Sequence, residues 1–167
     1  LLQLSRMDNA ELDTQTFDLG AVARDVCAAY QSGISQSLVL AATEPVMLTA
    51  NQDSIQQIMV SLLSNAHKYS PRQSTITVKV TQTAQQVAFE VADQGNGVKD
   101  EEKQLIFNRF FRSDKSRSQK IEGTGLGLAI VTRLTELNHG QIKVLDNYPQ
   151  GSRFIVTFER PPHSENL

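Results

Sequence analysis

The chain has 167 residues, 40% hydrophobic and 20% charged, a length that suits one domain burying roughly 70% of its unfolded surface without disulfides. A formal net charge of -2 excludes a global attraction to nucleic acid or anionic lipid, so any basic site has to be local. The single Cys27 lies in an apolar helical pattern, which makes it a small core residue and suits a reducing compartment. No apolar run in these residues approaches a membrane span or has the pattern of a signal peptide. Because the chain begins at Leu1 without an initiator Met, we expect a cytoplasmic piece of a larger parent anchored in the cell membrane, itself making no membrane contact.

Residues 1–12 place Leu1, Leu4, Met7 or Asp8, and Leu12 at near-helical spacing. They predict the tail of a longer helix, too short to stand without a partner. The folded domain is expected over 13–160, with 161–167 as a polar tail. Thr14 to Asp18 predicts a short strand and Leu19 to Tyr30 a helix with Asp18 as its N-cap. Ser37 to Thr43 and Val46 to Ala50 read as short strands around the Glu44-Pro45 turn. The clearest helix runs from Asn51 to Lys68, because Ile55, Ile58, Met59, Leu62, Leu63 and Ala66 form one continuous apolar stripe. Asn65 lies just off that stripe, and Ser70-Pro71 ends the helix so that Asn65, Lys68 and Tyr69 cluster near its end.

Alternation of Ile76, Val78 and Val80, then Val87, Phe89 and Val91, predicts a hairpin. Its second strand runs into Asp93-Gln94-Gly95-Asn96-Gly97, a carboxylate at a strand end followed by two glycines. Asp100 to Asn108 reads as a short helix leading into Phe107-Asn108-Arg109-Phe110-Phe111-Arg112. From Arg109 to Lys120 there are five basic residues against one acid, Asp114, a basic loop that makes a candidate lid. Glu122-Gly123-Thr124-Gly125-Leu126-Gly127-Leu128 then places three glycines at alternate positions before an apolar helical pattern. Unpaired N–H groups and the dipole at such a helix start favour an anion, and missing Cβ atoms let a phosphate approach. The helix is predicted from Gly123 to His139 with Gly140 as its C′ residue. Gln141 to Leu145 and Ser152 to Glu159 close the chain as a second hairpin. Seven of nine glycines lie between Gly95 and Gly151, so special backbone demands concentrate in the second half.

These pieces predict an α+β fold, a two-layer sandwich of a mixed, mostly antiparallel sheet packed on helices. In this arrangement the chain resembles the catalytic, ATP-binding domain of bacterial two-component sensor histidine kinases, with their Bergerat (GHKL) ATPase fold. Ser61-Leu62-Leu63-Ser64-Asn65-Ala66-His67-Lys68-Tyr69-Ser70 resembles the N box and Asp93 to Gly97 the first G box. Phe107 to Arg112 resembles the F box, Gly123 to Leu128 the second G box, and Gly151-Ser152-x-Phe154 the last glycine motif.

The resemblance implies ATP and Mg²⁺ as cofactors. Asn65 would offer its amide oxygen to Mg²⁺, which prefers oxygen ligands shared with phosphates. Lys68 would meet a phosphate, and Tyr69 and Phe110 would flank the nucleotide. Asp93 would accept from the adenine amino group, with Gly95 and Gly97 leaving room for the base. Gly123, Thr124, Gly125, Leu126, Gly127 and Leu128 would bring backbone N–H groups to the phosphates. Arg112 and Arg117 would face the γ-phosphate from the lid, whereas Lys115 and Lys120 read as solvated loop charges.

Four positions depart from the family pattern: Ser61 for a usual Asn, Asn96 for Pro, Gln141 for Gly and Ser152 for Thr. None of His67, His139 or His163 stands in the context of a phosphoacceptor. Partners implied are therefore a phosphoacceptor His domain of the parent and a response regulator receiver domain, but no nucleic acid. The fragment is expected to be a monomer and the parent a homodimer. The alternatives from other classes are a GHKL serine kinase or regulator and a nucleotide-binding docking module without catalysis. The hydrolysing gyrase, chaperone and mismatch-repair types use a Glu one turn before the Asn, and Ser61 at that position is no general base near neutral pH.

Overall fold

A computed structural model of the chain describes residues 12–42, 45–108 and 127–160. In order they form β1 (Gln15–Asp18), α1 (Leu19–Gln31), β2 (Ser37–Ala41), β3 (Met47–Ala50), α2 (Gln52–Tyr69), β4 (Thr75–Gln82), β5 (Gln86–Ala92), α3 (Gly127–Leu137), β6 (Gly140–Asp146) and β7 (Ser152–Glu159). A five-stranded sheet has the order β2-β4-β5-β7-β6, with β2 parallel to β4 and every other pair antiparallel. β1 and β3 form a separate antiparallel pair. The α+β sandwich with a mixed, mostly antiparallel sheet is as the sequence predicts.

Period-two alternation decides which side chains face the helices. Across β4, β5, β7 and β6 the registered row Val78, Val91, Phe154 and Val144 is buried, while the next row, Thr77, Ala92, Arg153 and Leu145, turns to the other face. The apolar stripe of α2 is at most 2% exposed at Ile55, Ile58, Met59, Leu62, Leu63 and Ala66. Burying each of its large members contributes about 1.5–3 kcal/mol. α1 adds Leu19, Val22, Ala23 and Val26, and α3 adds Val131 and Leu134 to the same core. Among the described residues no helix is long and apolar enough to cross a membrane.

The N-cap predicted at Asp18 forms, and Asn51 caps α2 in the same way. Asp18 accepts from the Gly20 N–H at 3.0 Å, and Asn51 accepts from the Ser54 N–H at 2.8 Å. Cys27 is buried at the α1 face, and burial pushes its thiol up to about 11. That agrees with an inert core residue.

Two expectations are corrected. Residues 100–108 do not make one helix but two 3₁₀ turns, Asp100–Glu102 and Leu105–Phe107. The segment is too short for helix propagation to outweigh nucleation, and its apolar residues are claimed by the core instead. Ile106 is buried, and Phe107 packs edge-on against Phe154 at 6.2 Å between centroids. Nor is Gly140 the left-handed residue that ends α3. His139 takes that conformation at φ 62°, and Gly140 opens β6, where a Cβ would lie 2.6 Å from the Phe158 ring.

Candidate functional site

The site grows from the C-terminal turn of α2. The stripe that fixes this helix on the sheet leaves Asn65 half-buried and Lys68 and Tyr69 exposed. Neither the Asn65 amide nor the Lys68 ammonium bonds another described residue, so both are free to meet a ligand as far as the described structure extends. One turn before Asn65, the Ser61 hydroxyl accepts from Gln57 Nε2 at 3.0 Å. Ser70 leaves the helix in extended geometry, φ -108° and ψ 148°, as the following Pro71 demands.

β5 delivers Asp93 to the edge of the same region. Its side chain is 4% exposed, and Oδ1 accepts from the Gly95 N–H at 2.9 Å and the Ser152 N–H at 3.3 Å. Among the described residues both bonds fall on Oδ1, so Oδ2 can accept from a bound donor. Burial pushes the Asp93 carboxyl above the usual carboxylate range, with the Gly95 and Ser152 hydrogen bonds opposing it. A buried carboxylate with one oxygen uncommitted is an acceptor of fixed position and high directional value.

Gly95 is where the two pieces touch. An added Cβ there would sit 2.3 Å from the Tyr69 carbonyl oxygen and 3.2 Å from Asp93 Oδ1. The end of α2 is therefore seated directly on the 93–97 turn, and only glycine permits it. Gly97 follows at φ 78°.

From the other side the β6–β7 hairpin grips the same turn. Asn147 Nδ2 donates to the Asp93 carbonyl at 2.7 Å, Gln150 Nε2 donates to the Gln94 carbonyl at 2.8 Å, and the Asp93 N–H donates to the Ser152 carbonyl at 2.9 Å. At Gly151, φ 112°, a Cβ would fall 1.9 Å from the Asp93 carbonyl oxygen. The sequence marks Gly151 as part of the last glycine motif but shows 146–150 only as a connection. Asn147 carries no signal there, because an Asn in a loop is ordinary turn chemistry until its distant partner is seen.

α3 returns toward this region. Asn138, just past its end, accepts from the Asn51 N–H at 2.8 Å at the start of α2. The two helices thus run in opposite senses, and about 16 Å of α3 brings Gly127 back toward the half of α2 that carries Asn65. Gly127 and Leu128 open that helix, and a Cβ on Gly127 would meet no described atom within 4 Å. No packing demand within the described structure accounts for this glycine.

The structure thus brings together Asn65, Lys68, Tyr69, Asp93, Gly95 and Gly97, with Gly127 and Leu128 on the neighbouring helix. Phe110, Arg112, Arg117, Gly123, Thr124, Gly125 and Leu126 lie outside the described residues. Of the histidines, His67 Nδ1 lies 2.9 Å from Gln36 Oε1 and His139 is exposed, while His163 lies outside the described residues. No three His, Cys, Asp or Glu side chains converge on a metal position among the described residues.

A family described as "Histidine kinase-, DNA gyrase B-, and HSP90-like ATPase" matches residues 50–162. The sensor-like histidine kinase SenX3 of Mycobacterium tuberculosis is 32% identical over 163 residues, covering 93% of this chain and 39% of the relative. The chain therefore spans about two fifths of that relative's length. A solved structure of the mycobacterial sensor histidine kinase MprB superposes with a TM-score of 0.73 at 25% identity, covering 89% of this chain and 99% of that one. Full-length ShkA in complex with AMPPNP superposes with a TM-score of 0.75 at 25% identity, covering 92% of this chain and 33% of that one.

Proposed function

The chain belongs to the histidine kinase-, DNA gyrase B- and HSP90-like ATPase family and is the ATP-binding catalytic domain of a histidine kinase; from that premise we propose how it holds ATP and where the phosphate goes. The nucleotide lies between the end of α2, the 93–97 turn and the start of α3. The observation that carries this reading is Asp93: a buried carboxylate locked through Oδ1 with Oδ2 left to accept. The adenine amino group is the matching donor, and guanine, with a carbonyl at that position, would place two acceptors face to face.

Tyr69 covers the base, with Gly95 and Gly97 keeping side chains out of its plane. Lys68 meets the phosphates as a point charge. Gly127, whose missing Cβ no described packing requires, lets the helix start approach the phosphates together with Gly123, Thr124, Gly125, Leu126 and Leu128. Phe110 flanks the nucleotide, and Arg112 and Arg117 face the γ-phosphate. Asn65 would hold Mg²⁺ through its amide oxygen, and the ion, when bound, would neutralise charge on the phosphates.

The reaction is transfer to a histidine on the parent's separate acceptor hairpin. An imidazole nitrogen lone pair forms the bond to the γ-phosphorus as the bond to the β–γ bridging oxygen breaks, leaving ADP. The guanidinium groups of Arg112 and Arg117 stabilise charge on the group in flight. Ser61, which accepts from Gln57, offers no general base for water, and that favours transfer over hydrolysis. The whole parent is read as a membrane-anchored homodimer whose phosphohistidine supplies a response regulator in the cytoplasm.

Calorimetric titration of ATP and GTP, with and without Mg²⁺, tests the reading. We expect selective ATP binding that weakens about 10–100-fold in Asp93→Asn, the worth of one hydrogen bond to a charged group. Equal binding of GTP would remove Asp93 from base recognition. A folded chain that binds neither nucleotide would move the docking-module alternative to first place.

A further inference from the structure

We infer that Gln36, a loop residue outside every nucleotide motif, is a positioning residue for the nucleotide site, because it clamps the last turn of α2 against the 93–97 turn. The inference rests on the nucleotide reading above. Gln36 follows α1 in sequence and is 2% exposed, an unusual place for a side chain with two donors and an acceptor.

Its amide is fully used. Nε2 lies 3.2 Å from the His67 carbonyl oxygen, 3.1 Å from that of Ser70 and 3.3 Å from that of Pro71. Oε1 faces His67 Nδ1 at 2.9 Å. Three carbonyls around the nitrogen fix which way the amide points, so Oε1 must accept and His67 Nδ1 must carry the proton. A helix leaves its last carbonyls without intrahelical partners, and α2 ends with extended Ser70 before Pro71 rather than with a left-handed cap. Gln36 supplies from a distance the donor that a local cap would have given.

The clamp is itself anchored. Gln31 Nε2 donates to the Gln36 carbonyl at 2.8 Å, and Gln31 Oε1 accepts from the Leu38 N–H at 2.7 Å. The bonded carbonyls bracket Lys68 and Tyr69, and the Tyr69 carbonyl is what a Cβ on Gly95 would strike. Gln94 Oε1 accepts from the Thr75 N–H at 2.9 Å, which ties the same turn to the start of β4. Loss of the Gln36 donor therefore lets the α2 end shift on the surface that holds Asp93.

The test compares Gln36→Met, which keeps length and removes the amide, with Val26→Ala, a core truncation in α1 chosen to lower Tm comparably. ATP affinity is read by calorimetry, and the Gly95 amide resonance by heteronuclear NMR without ligand. We expect ATP to bind about tenfold more weakly in Gln36→Met with the Gly95 resonance displaced, and both to be unchanged in Val26→Ala. Should Gln36→Met not fold, His67→Ala keeps the capping donor but releases the other end of the amide, and about threefold weaker binding is expected. Unchanged ATP affinity in the folded variants would overturn the inference while leaving the nucleotide reading intact. An unaltered chain that binds no ATP would overturn the nucleotide reading, and this inference with it.

Discussion

Asp93 carries two opposed demands, and their balance sets a pH dependence. Burial disfavours its charged form, whereas its proposed work as an acceptor requires that form. Its folded pKa is raised, so on acidification the folded chain takes up this proton at a higher pH than the unfolded chain does. Burying the ionised group costs stability above that pKa, and the cost disappears as pH falls through it. ATP affinity runs the other way, because a protonated Asp93 loses acceptor strength. We expect affinity to begin falling at a higher pH than an ordinary aspartate would give, and Asp93→Asn to be folded with unfolding stability at least equal to the native chain at neutral pH. Calorimetry across mildly acidic pH and urea unfolding of both proteins check this. A native chain whose affinity stays flat until the ordinary aspartate range would show that the carboxyl is not perturbed as its burial requires.

At the scale of elements, α2 is the part most legible in the sequence and the part whose precision was least so. Its apolar stripe and Asn51 cap follow from spacing, since both depend on residues within one or two turns of each other. The devices that hold its ends do not. Asn138 meets the Asn51 N–H from 87 residues away, and Gln36 meets His67 across 31 residues, so neither has a local signature. The same division separates the first glycine turn, readable as Asp93 before Gly95 and Gly97, from the Asn147 amide that fixes its backbone. Conversely, the single helix expected at 100–108 failed because Ile106 and Phe107 obey tertiary packing rather than local propensity. Asn51 offers a clean element-scale prediction: its Oδ1 accepts from both the Ser54 N–H and hydroxyl, and its Nδ2 donates to the Asp13 carbonyl. Asn51→Ala should cost about 1–2 kcal/mol in urea unfolding with ATP affinity within about twofold of native, because the loss lies at the far end of α2 from the site. A large loss of affinity at preserved fold would mean that the cap, not the stripe, sets the height of Asn65 along the helix.

The whole molecule is a sheet whose order, β2-β4-β5-β7-β6, alternation alone does not reveal, because period two fixes a face and not a neighbour. β2 and β3 illustrate the gap: close in sequence, they join different sheets, β2 beside β4 and β3 beside β1. The consequence for function is that the proposed ATP site draws on both halves of the chain. α2 comes from the first, and β5, α3 and the β6–β7 hairpin come from the second, so a bound nucleotide would cross-link segments far apart in the sequence. Binding to the folded state alone should then stabilise the entire domain, by about 2.7 kcal/mol at a ligand concentration a hundred times Kd. For a domain of this size that corresponds to a rise in Tm of roughly 5–10 °C in scanning calorimetry with Mg-ATP. GTP at the same concentration should give a much smaller shift, since phosphate contacts remain but the Asp93 acceptor faces a carbonyl. A rise of equal size with GTP would mean that the phosphates alone hold the nucleotide and that Asp93 does not select the base.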